Sequence, residues 1–423
     1  MYKIATLENG LRVLSHRMPG MDSVALGIWV RTGARYEEKQ YQGIAHFLEH
    51  LLFKGSKRYS ARRSKEIIEG VGGNLNGFTS EEYSCYLVKT TGKYLAQAVD
   101  VLSDMVINPL LKPEDIERER SVIIEEIKMY RDIPAHFVHD ILDRLMWPGH
   151  PLGRSIIGTL DTLGNITRKR LDEFQGYYYT PSNIIVVACG KVNHDELKRL
   201  AKRAFGKVKA RKRSDFEKVD IKQKSPQLDI FFKKTEQTHL SLGLHSYPRQ
   251  HPRRHTLNLL HIILGGNMSS RLFWRIRERA GLAYEISTQV VRFSDTGAFL
   301  INAGIDNKKV ESALELIIDE IRKIKKSPVT ESEFNRAKEF YQGQFLMGLE
   351  DTTDFMLWLG ENLISLDRVY TPKEILREMK KVKRHDIYDV ANEVLRPERL
   401  SVAAIGPLSR HNKNDIREII CKI

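Results

Sequence analysis

The sequence predicts an α+β fold made of two homologous domains, each an antiparallel-rich sheet packed with helices. Three observations support this prediction. A chain of 423 residues is too long for one core of ordinary size. Segments of the first half recur in the second half at a nearly constant separation. Short strands and long amphipathic helices alternate without strict strand–helix–strand order, which favours an antiparallel-rich sheet over a parallel one.

The internal repeat is visible at single positions. Ala98 corresponds to Ala313 at a separation of 215 residues, and Ile116 corresponds to Phe334 at a separation of 218. The paired segments are VALGIWV (24–30) with THLSLGLHS (238–246), LAQAVDVLSDM (95–105) with ESALELIIDEI (311–321), and LKPEDIERERS (111–121) with VTESEFNRAKE (329–339). We therefore expect both halves to fold alike.

The domain boundaries follow from a change in composition. Residues 207–226 are rich in charge and poor in apolar pattern, as expected of a connector. This basic linker would separate a first domain at 1–206 from a second at 227–423. The helix expected near 255–265, in TLNLLHIILGG, lacks the polar residues of its counterpart in the first half. We therefore expect the chemistry in the first domain.

The first residues read as two short strands around the turn at Asn9 and Gly10. They show no basic region followed by an apolar one, as a signal peptide would, and no run approaches the roughly 18 apolar residues of a membrane helix. We expect a cytoplasmic protein without a membrane span. The three cysteines, Cys85, Cys189 and Cys421, are too widely spaced for a disulfide framework and are expected to be reduced.

The net charge of +14 raises nucleic acid as a possible partner. The basic residues cluster at 207–218, 322–327 and 380–386, without interleaved aromatic residues or a recognisable binding motif. The first cluster is typical of a linker and the other two are typical of solvated helix faces. We therefore expect no nucleic-acid partner.

Polar residues interrupt an apolar helix expected at 42–53. In GIAHFLEHLLFKGS (43–56), His46, Glu49 and His50 lie at positions i, i+3 and i+4, which share one helix face. A histidine with a hydrogen-bond partner inside the core is the simpler explanation for a single such residue. Three titratable groups on one face would each need their own compensation, so the pattern favours a metal site.

A catalytic zinc site uses three protein ligands and a water molecule, so two histidines need a third donor. A helix expected at 114–132, after Pro113, places Glu119 and Glu126 on an otherwise apolar stripe, whereas Glu125 lies about 100° away around the helix. Glu126 is therefore the leading candidate for the third ligand.

These residues carry a resemblance. HFLEH, with Glu126 lying 76 residues after His50, resembles the inverted zinc motif of the pitrilysin, insulin-degrading enzyme and mitochondrial processing peptidase family, the inverzincins. The similarity extends over nearly the whole chain, through GGNLNGFTSEEYSCYLVKT (72–90), IERERSVIIEEI and RLFWRIRERAGLAYEIS (271–287). The chain resembles the short bacterial-type members and the β subunit of the processing peptidase.

The resemblance implies a zinc metalloendopeptidase that hydrolyses unfolded peptides or precursor segments. It implies that His46, His50 and Glu126 bind one zinc ion per chain and that Glu49 is the general base that activates a zinc-bound water. Glu119 matches a carboxylate that supports a metal ligand in the family. Histidine and carboxylate ligands also suit manganese and cobalt, so the native metal stays open.

The resemblance also implies how substrate is held. Asn76, Gly77, Phe78 and Thr79 match an edge strand that binds an extended peptide through its backbone. Arg277 and Tyr284 match an arginine and a tyrosine that members bring from the second domain, and both side chains can donate to an oxyanion. From the residues alone, an ordinary half-buried strand and a surface arginine are equally compatible with these patterns.

Members of this length close a clamshell chamber by pairing two chains, each supplying half of it. The resemblance therefore implies a homodimer, with a heterodimer with an inactive homologue as the alternative. Segment 263–272 lacks the long glycine-rich loop of that inactive partner. Two other functions are alternatives, a non-catalytic scaffold or assembly subunit on the same fold and a basic nucleic-acid-binding protein. The intact motif disfavours the first, and only net charge supports the second.

Overall fold

The structure is a computed structural model that describes residues 2–211 and 215–423; residues 212–214 of the predicted linker lie outside the described residues. The strands are β1 (Tyr2–Thr6), β2 (Arg12–Arg17), β3 (Ser23–Val30), β4 (Asn74–Thr79), β5 (Ser84–Thr91), β6 (Ile184–Gly190), β7 (Gln227–Phe232), β8 (Gln237–Ser246), β9 (Ala283–Arg292), β10 (Gly297–Asp306) and β11 (Leu400–Gly406). The predicted strands flanking the turn at Gly10 are confirmed, since β1 and β2 pair antiparallel.

The helices alternate with these strands along the chain. They are α1 (Ile44–Leu52), α2 (Ala61–Glu69), α3 (Leu95–Ile107), α4 (Pro113–Asp132), α5 (Pro134–Met146), α6 (Leu160–Asn165), α7 (Arg168–Tyr178), α8 (His194–Phe205), α9 (Arg254–Leu264), α10 (Val310–Lys326), α11 (Glu331–Gly348), α12 (Thr352–Leu366), α13 (Pro372–Lys381), α14 (Arg384–Val394) and α15 (Arg410–Ile420). A π-helix covers Phe273–Arg279. The predicted helices at 42–53, 114–132 and 255–265 are therefore α1, α4 and α9.

The strands form two sheets that share a five-strand order, and the first sheet has β1 as an additional edge strand. The first has the order β1-β2-β6-β3-β5-β4 and the second the order β7-β11-β8-β10-β9. In each sheet one pair is parallel, β2 with β6 and β7 with β11, and the remaining pairs are antiparallel. The predicted α+β fold with two antiparallel-rich sheets is confirmed.

The two compact units differ from the predicted contiguous division. The first comprises Met1–Lys128, Arg154–Glu217 and Met347–Val369, and the second comprises Met129–Gly153, Lys218–Leu346 and Tyr370–Ile423. The predicted boundaries at 1–206 and 227–423 therefore assign two segments to the wrong unit. These segments are Met129–Gly153, which lies in the second unit, and Met347–Val369, which lies in the first. The described part of the linker at 207–226 contains no helix or strand.

Packing explains why each segment changes sides. Helix α5 buries Val138, Ile141 and Leu142 against the second sheet, in a cluster with Ala403 and Ile405 of β11. Helix α12, which begins 218 residues after α5, buries apolar side chains against the first sheet. The side chains in that cluster are Phe355, Met356, Leu359, Leu363 and Ile364, with Leu14, Ala25, Trp29, Ile185 and Val187 on the sheet. Each sheet thus obtains one covering helix from the other half of the sequence.

The opposite face of the first sheet forms the core on which the candidate site rests. Residues of α1, α3, α4, α7 and α8 bury apolar side chains there against β3 and β6. Phe47 and Leu48 of α1 are fully buried. This packing fixes the side of α1 opposite to its polar residues.

Across 2–211 and 215–423, none of the helices combines the length and apolar character needed to cross a bilayer. The cytoplasmic location stays a prediction. Cys85, Cys189 and Cys421 are free thiols, as expected, and the first two are buried.

Candidate metal centre

Helix α1 presents the polar residues of the motif on one face. It buries Ile44, Ala45 and Leu48 and leaves His46 and His50 partly exposed. The two imidazole rings lie side by side, with centroids 4.6 Å apart and planes inclined by 60°. The spacing of four residues therefore places both rings next to each other at one edge of the helix.

Helix α4 brings the predicted third donor to the two histidines. Oε2 of Glu126 lies 3.8 Å from Nε2 of His46 and 3.8 Å from Nε2 of His50. The candidate ligand atoms of the three residues lie within 4.8 Å of one another, and no second group of this kind occurs in the described part of the chain. The arrangement matches the two-histidine, one-carboxylate donor set of catalytic zinc sites.

The chemistry of the donors fits a metal ion. Burial, reinforced by the neighbouring His50, lowers the pKa of His46 to about 3, so its imidazole is neutral and has a lone pair to offer. Burial raises the pKa of Glu126, and the nearby His50 opposes this shift. Nδ1 of His46 is buried and finds no hydrogen-bond partner among the described residues. Packing rather than a hydrogen bond therefore orients this ring.

The ring of His50, by contrast, is held by a chain of polar contacts. Its Nδ1 lies 3.2 Å from Oε2 of Glu119, which is buried on α4. The other oxygen of Glu119 lies 2.6 Å from Nζ of Lys54. The structure therefore brings Glu119 next to the candidate ligand His50. A role for Lys54 was not predicted. Its position four residues after His50 is the spacing that places two side chains on the same helix face.

Glu49 lies on α1 between the two histidines in sequence and has a separate partner. Its Oε2 accepts a hydrogen bond of 2.8 Å from Oγ1 of Thr79, and Ser84 lies 3.4 Å from that hydroxyl. Burial raises the pKa of Glu49, the contact with Thr79 and the charge of His50 oppose the shift, and Glu126 reinforces it. The sequence did not predict the contact between Glu49 and Thr79.

The predicted substrate segment forms the edge strand β4. Asn76, Gly77, Phe78 and Thr79 pair with β5 on one side, and β4 is the last strand of its sheet. A Cβ atom on Gly77 would lie 3.0 Å from the ring of Phe53, which follows α1. The edge strand therefore runs beside the helix that carries the histidines.

Arg277 and Tyr284 lie in the second compact unit, on the π-helix and on β9. Cζ of Arg277 lies 5.7 Å from the ring centroid of Tyr284 and 4.8 Å from that of Phe273. Tyr284 is exposed over 73% of its surface. The structure thus brings the two predicted residues together on the surface of their unit.

Comparison with known proteins identifies the family. Residues 12–160 match the family model described as insulinase (peptidase family M16), and residues 165–341 match the one described as the peptidase M16 inactive domain. The chain belongs to the M16 peptidase family. Membership confirms the resemblance drawn from the sequence and, with it, the enzyme class, a metalloprotease.

Curated M16 relatives match this chain over nearly its full length. An uncharacterised zinc protease of Streptomyces coelicolor is 34% identical over 98% of this chain and 92% of its own. The uncharacterised zinc protease YmxG of Bacillus subtilis is 34% identical over 96% of this chain and 98% of its own.

Solved structures show the same fold. A protease from Helicobacter pylori superposes with a TM-score of 0.90 at 25% identity, over 96% of this chain and 100% of its own. A peptidase M16 inactive domain from Pseudomonas fluorescens superposes with a TM-score of 0.88 at 17% identity, over 96% of this chain and 98% of its own. The second likeness concerns the fold alone.

Proposed function

We propose that this chain is a zinc-dependent endopeptidase that hydrolyses unfolded peptides or precursor segments. The observation that carries the proposal is the cluster of His46, His50 and Glu126, with ligand atoms within 4.8 Å of one another. Two bacterial relatives are named zinc proteases, which supports zinc as the ion.

In this proposal each polar residue of the site has one task. His46, His50 and Glu126 hold one zinc ion per chain through one imidazole nitrogen of each histidine and a carboxylate oxygen. When bound, the ion supplies Lewis acidity that lowers the pKa of a water molecule and polarises the scissile carbonyl. Glu49 accepts the proton of the attacking water on a carboxylate oxygen and passes it to the departing amine nitrogen.

Two observations support Glu49 as the base. Burial raises its pKa, so its carboxylate is a stronger base than that of an exposed glutamate. The hydroxyl of Thr79 donates to its Oε2 at 2.8 Å, which holds the carboxylate in one orientation. The other oxygen, Oε1, is then free to take the proton.

The edge strand β4 is the proposed binding surface for the substrate. An edge strand offers backbone N–H and C=O groups to which an extended peptide can add as a further strand. We assign Asn76, Gly77, Phe78 and Thr79 to this contact. The hydrogen bond from Thr79 to Glu49 supports the assignment, because it ties the strand to the proposed base.

Arg277 and Tyr284 are proposed as donors to the oxyanion that forms as the peptide bond is attacked. The proposal rests on the match of RERAGLAY to the family motif, and the exposure of Tyr284 supports it. A homodimer that encloses the substrate in a chamber is proposed on the same resemblance, and a heterodimer with an inactive homologue is the alternative.

A scaffold role is the second candidate, because the family model that matches residues 165–341 is described as an inactive domain. The candidate metal cluster lies outside that range, in residues 46–126. A scaffold has no use for a half-buried glutamate beside two histidines and a carboxylate, so the cluster favours catalysis.

The test is hydrolysis of an unstructured, quenched fluorescent peptide by the purified chain, with and without a chelator. We expect cleavage that the chelator stops and that added zinc restores. His46→Ala serves as the matched variant and should be inactive under both conditions. Wild-type protein that holds zinc and still leaves every peptide intact would favour the scaffold role.

A further inference from the structure

The first turn of α1 is capped by a side chain from outside the helix. The residue before the helix, Gly43, has no side chain to accept a hydrogen bond and has a φ of 93°. Instead, Oε2 of Glu37 accepts from the N–H of Gly43 and Oε1 accepts from the N–H of Ala45, both at 2.8 Å. The first N–H groups of a helix have no partner within the helix, so Glu37 satisfies donors that would otherwise be buried alone.

The capping carboxyl group of Glu37 is buried, which disfavours its charged form. Burial raises the pKa of Glu37 to about 8, and the two N–H contacts and the charge of Arg154 oppose the shift. The use of both oxygens as acceptors, one on each N–H, indicates that the cap is the reason for a glutamate at this buried position.

Backbone packing fixes the same end of the helix. A Cβ atom on Gly43 would lie 2.9 Å from Cα of Gly158 and 2.9 Å from the carbonyl oxygen of Ile157. Gln42 donates to the carbonyl oxygen of Ser155 at 2.8 Å. The start of α1 is therefore locked against residues 155–158 and cannot shift without breaking these contacts.

The capped turn leads directly to the proposed metal ligands. His46 follows Ala45, and α1 is nine residues long. A helix of this length is marginal by itself, so its ends must be held from outside. The chain from Lys54 through Glu119 holds the ring of His50 near the far end.

We propose that Glu37 is a positioning residue, whose side-chain carboxyl group holds the first turn of α1 so that His46 and His50 are presented together to the metal ion. The proposal rests on the proposed function of these histidines as ligands. Glu37 does not touch the metal cluster. Its effect is transmitted through the backbone of Gly43 and Ala45.

The test compares zinc dissociation constants, measured on the purified full chain by competition with a chromogenic chelator. Glu37→Ala removes both acceptors and should weaken zinc binding about 10-fold, the scale found when groups that orient metal ligands are removed. Glu37→Gln keeps the shape and one acceptor oxygen and should give an intermediate loss. It also keeps the test valid if the alanine variant does not fold.

Asp351 provides a matched control. It caps α12 in the same unit by accepting from the N–H groups of Thr353 and Asp354, at 2.6 and 3.3 Å. Asp351→Ala should lower the free energy of unfolding in urea but leave the zinc dissociation constant within about 2-fold of wild type, since α12 carries no ligand.

Four outcomes separate the possibilities. Wild-type affinity in both Glu37 variants would overturn the proposal, and so would an equal loss of affinity in Asp351→Ala, which would indicate a general effect of stability. A wild-type chain that binds zinc but cleaves no peptide would contradict the proposed peptidase activity and leave the test of Glu37 intact. A wild-type chain that binds no zinc would overturn both.

Discussion

At the scale of single residues, helix α4 distinguishes three glutamates by their surroundings. Glu126 faces the two histidines, Glu119 is buried behind His50, and the side chain of Glu125 is 71% exposed and pairs with Lys128. The predicted difference between Glu125 and its neighbour is confirmed. Helical spacing suffices for this distinction, because faces of a helix repeat every 3.6 residues.

We expect Glu119→Gln to weaken zinc binding by roughly 10- to 100-fold, as is usual for groups that hydrogen-bond a metal-ligating histidine. The amide removes the negative charge opposite Nδ1 of His50 and leaves Lys54 without its ion-pair partner. The measurement is the zinc dissociation constant. Glu125→Gln, on the same helix, is the control and should bind as wild type; equal affinity for zinc in both variants would contradict the assigned role.

The sequence predicted the candidate ligands and Glu119 but not the other groups that position the site. His46, His50 and Glu126 stand out because polar residues at helical spacing interrupt apolar faces. Glu37 and Thr79 do not, since their contacts depend on how loops and strands return to α1. One signal for Glu37 was available: a glycine precedes α1, so an acidic residue nearby could have been sought as an external cap.

At the scale of secondary structure, the segment that carries Arg277 is a π-helix anchored by ion pairs. Arg271, just before it, forms a two-pronged contact with Glu333 on α11, at 2.8 and 2.9 Å. Arg275 contacts Asp319 and Glu320 on α10. No pattern in the sequence indicates the wider turn of this π-helix. These contacts join residues that lie 44 to 62 positions apart in the sequence, so a local sequence pattern does not predict them.

Because of the ion pair between Arg271 and Glu333, the free energy of unfolding should depend on pH in the acidic range. Burial acts against ionisation, yet the contacts with Arg271 and Thr330 lower the pKa of Glu333 to about 2. A carboxyl with a lowered pKa in the folded state stabilises the fold above its unfolded pKa of about 4.3, and this stabilisation is lost as the pH falls toward 2.

We therefore expect Glu333→Gln to lower the free energy of unfolding at pH 7 by about 2 kcal/mol, with the difference from wild type shrinking as the pH falls from 5 to about 2. Urea unfolding at several pH values measures it. Glu331→Gln, an exposed position on the same helix, is the control. A difference that stays constant across this pH range would show that the ion pair is not the cause.

At the scale of the whole molecule, the internal repeat predicted the two sheets but not the exchange of α5 and α12. Both helices are amphipathic, and periodicity shows that a face is buried without showing which sheet buries it. In the structure, the contact with Trp29 shows that α12 packs on the first sheet. A Cβ atom on Gly360 of α12 would lie 2.2 Å from the Trp29 ring, so the helix packs directly on it.

The exchange predicts that residues 1–206 do not fold alone. Without α12, Trp29 loses its cover. Without β8 and the segment between β9 and β10, Trp147 loses the rings of His245 and Phe293. Trp29 and Trp147 are 1% and 4% exposed in the full chain. We expect the fragment to show red-shifted tryptophan emission and no cooperative urea transition. A cooperative transition with the blue-shifted emission of the full chain would contradict the assigned packing.

The most direct test of the central claim is the zinc content and peptidase activity of Glu49→Gln, measured on the same preparation. The amide keeps the size of the side chain but cannot accept the proton. We predict one zinc ion per chain, bound as tightly as in wild type, and a rate of hydrolysis lower by about 100- to 10,000-fold. Wild-type activity in this variant would show that Glu49 is not the base, and loss of zinc together with activity would show that it belongs to the metal site instead.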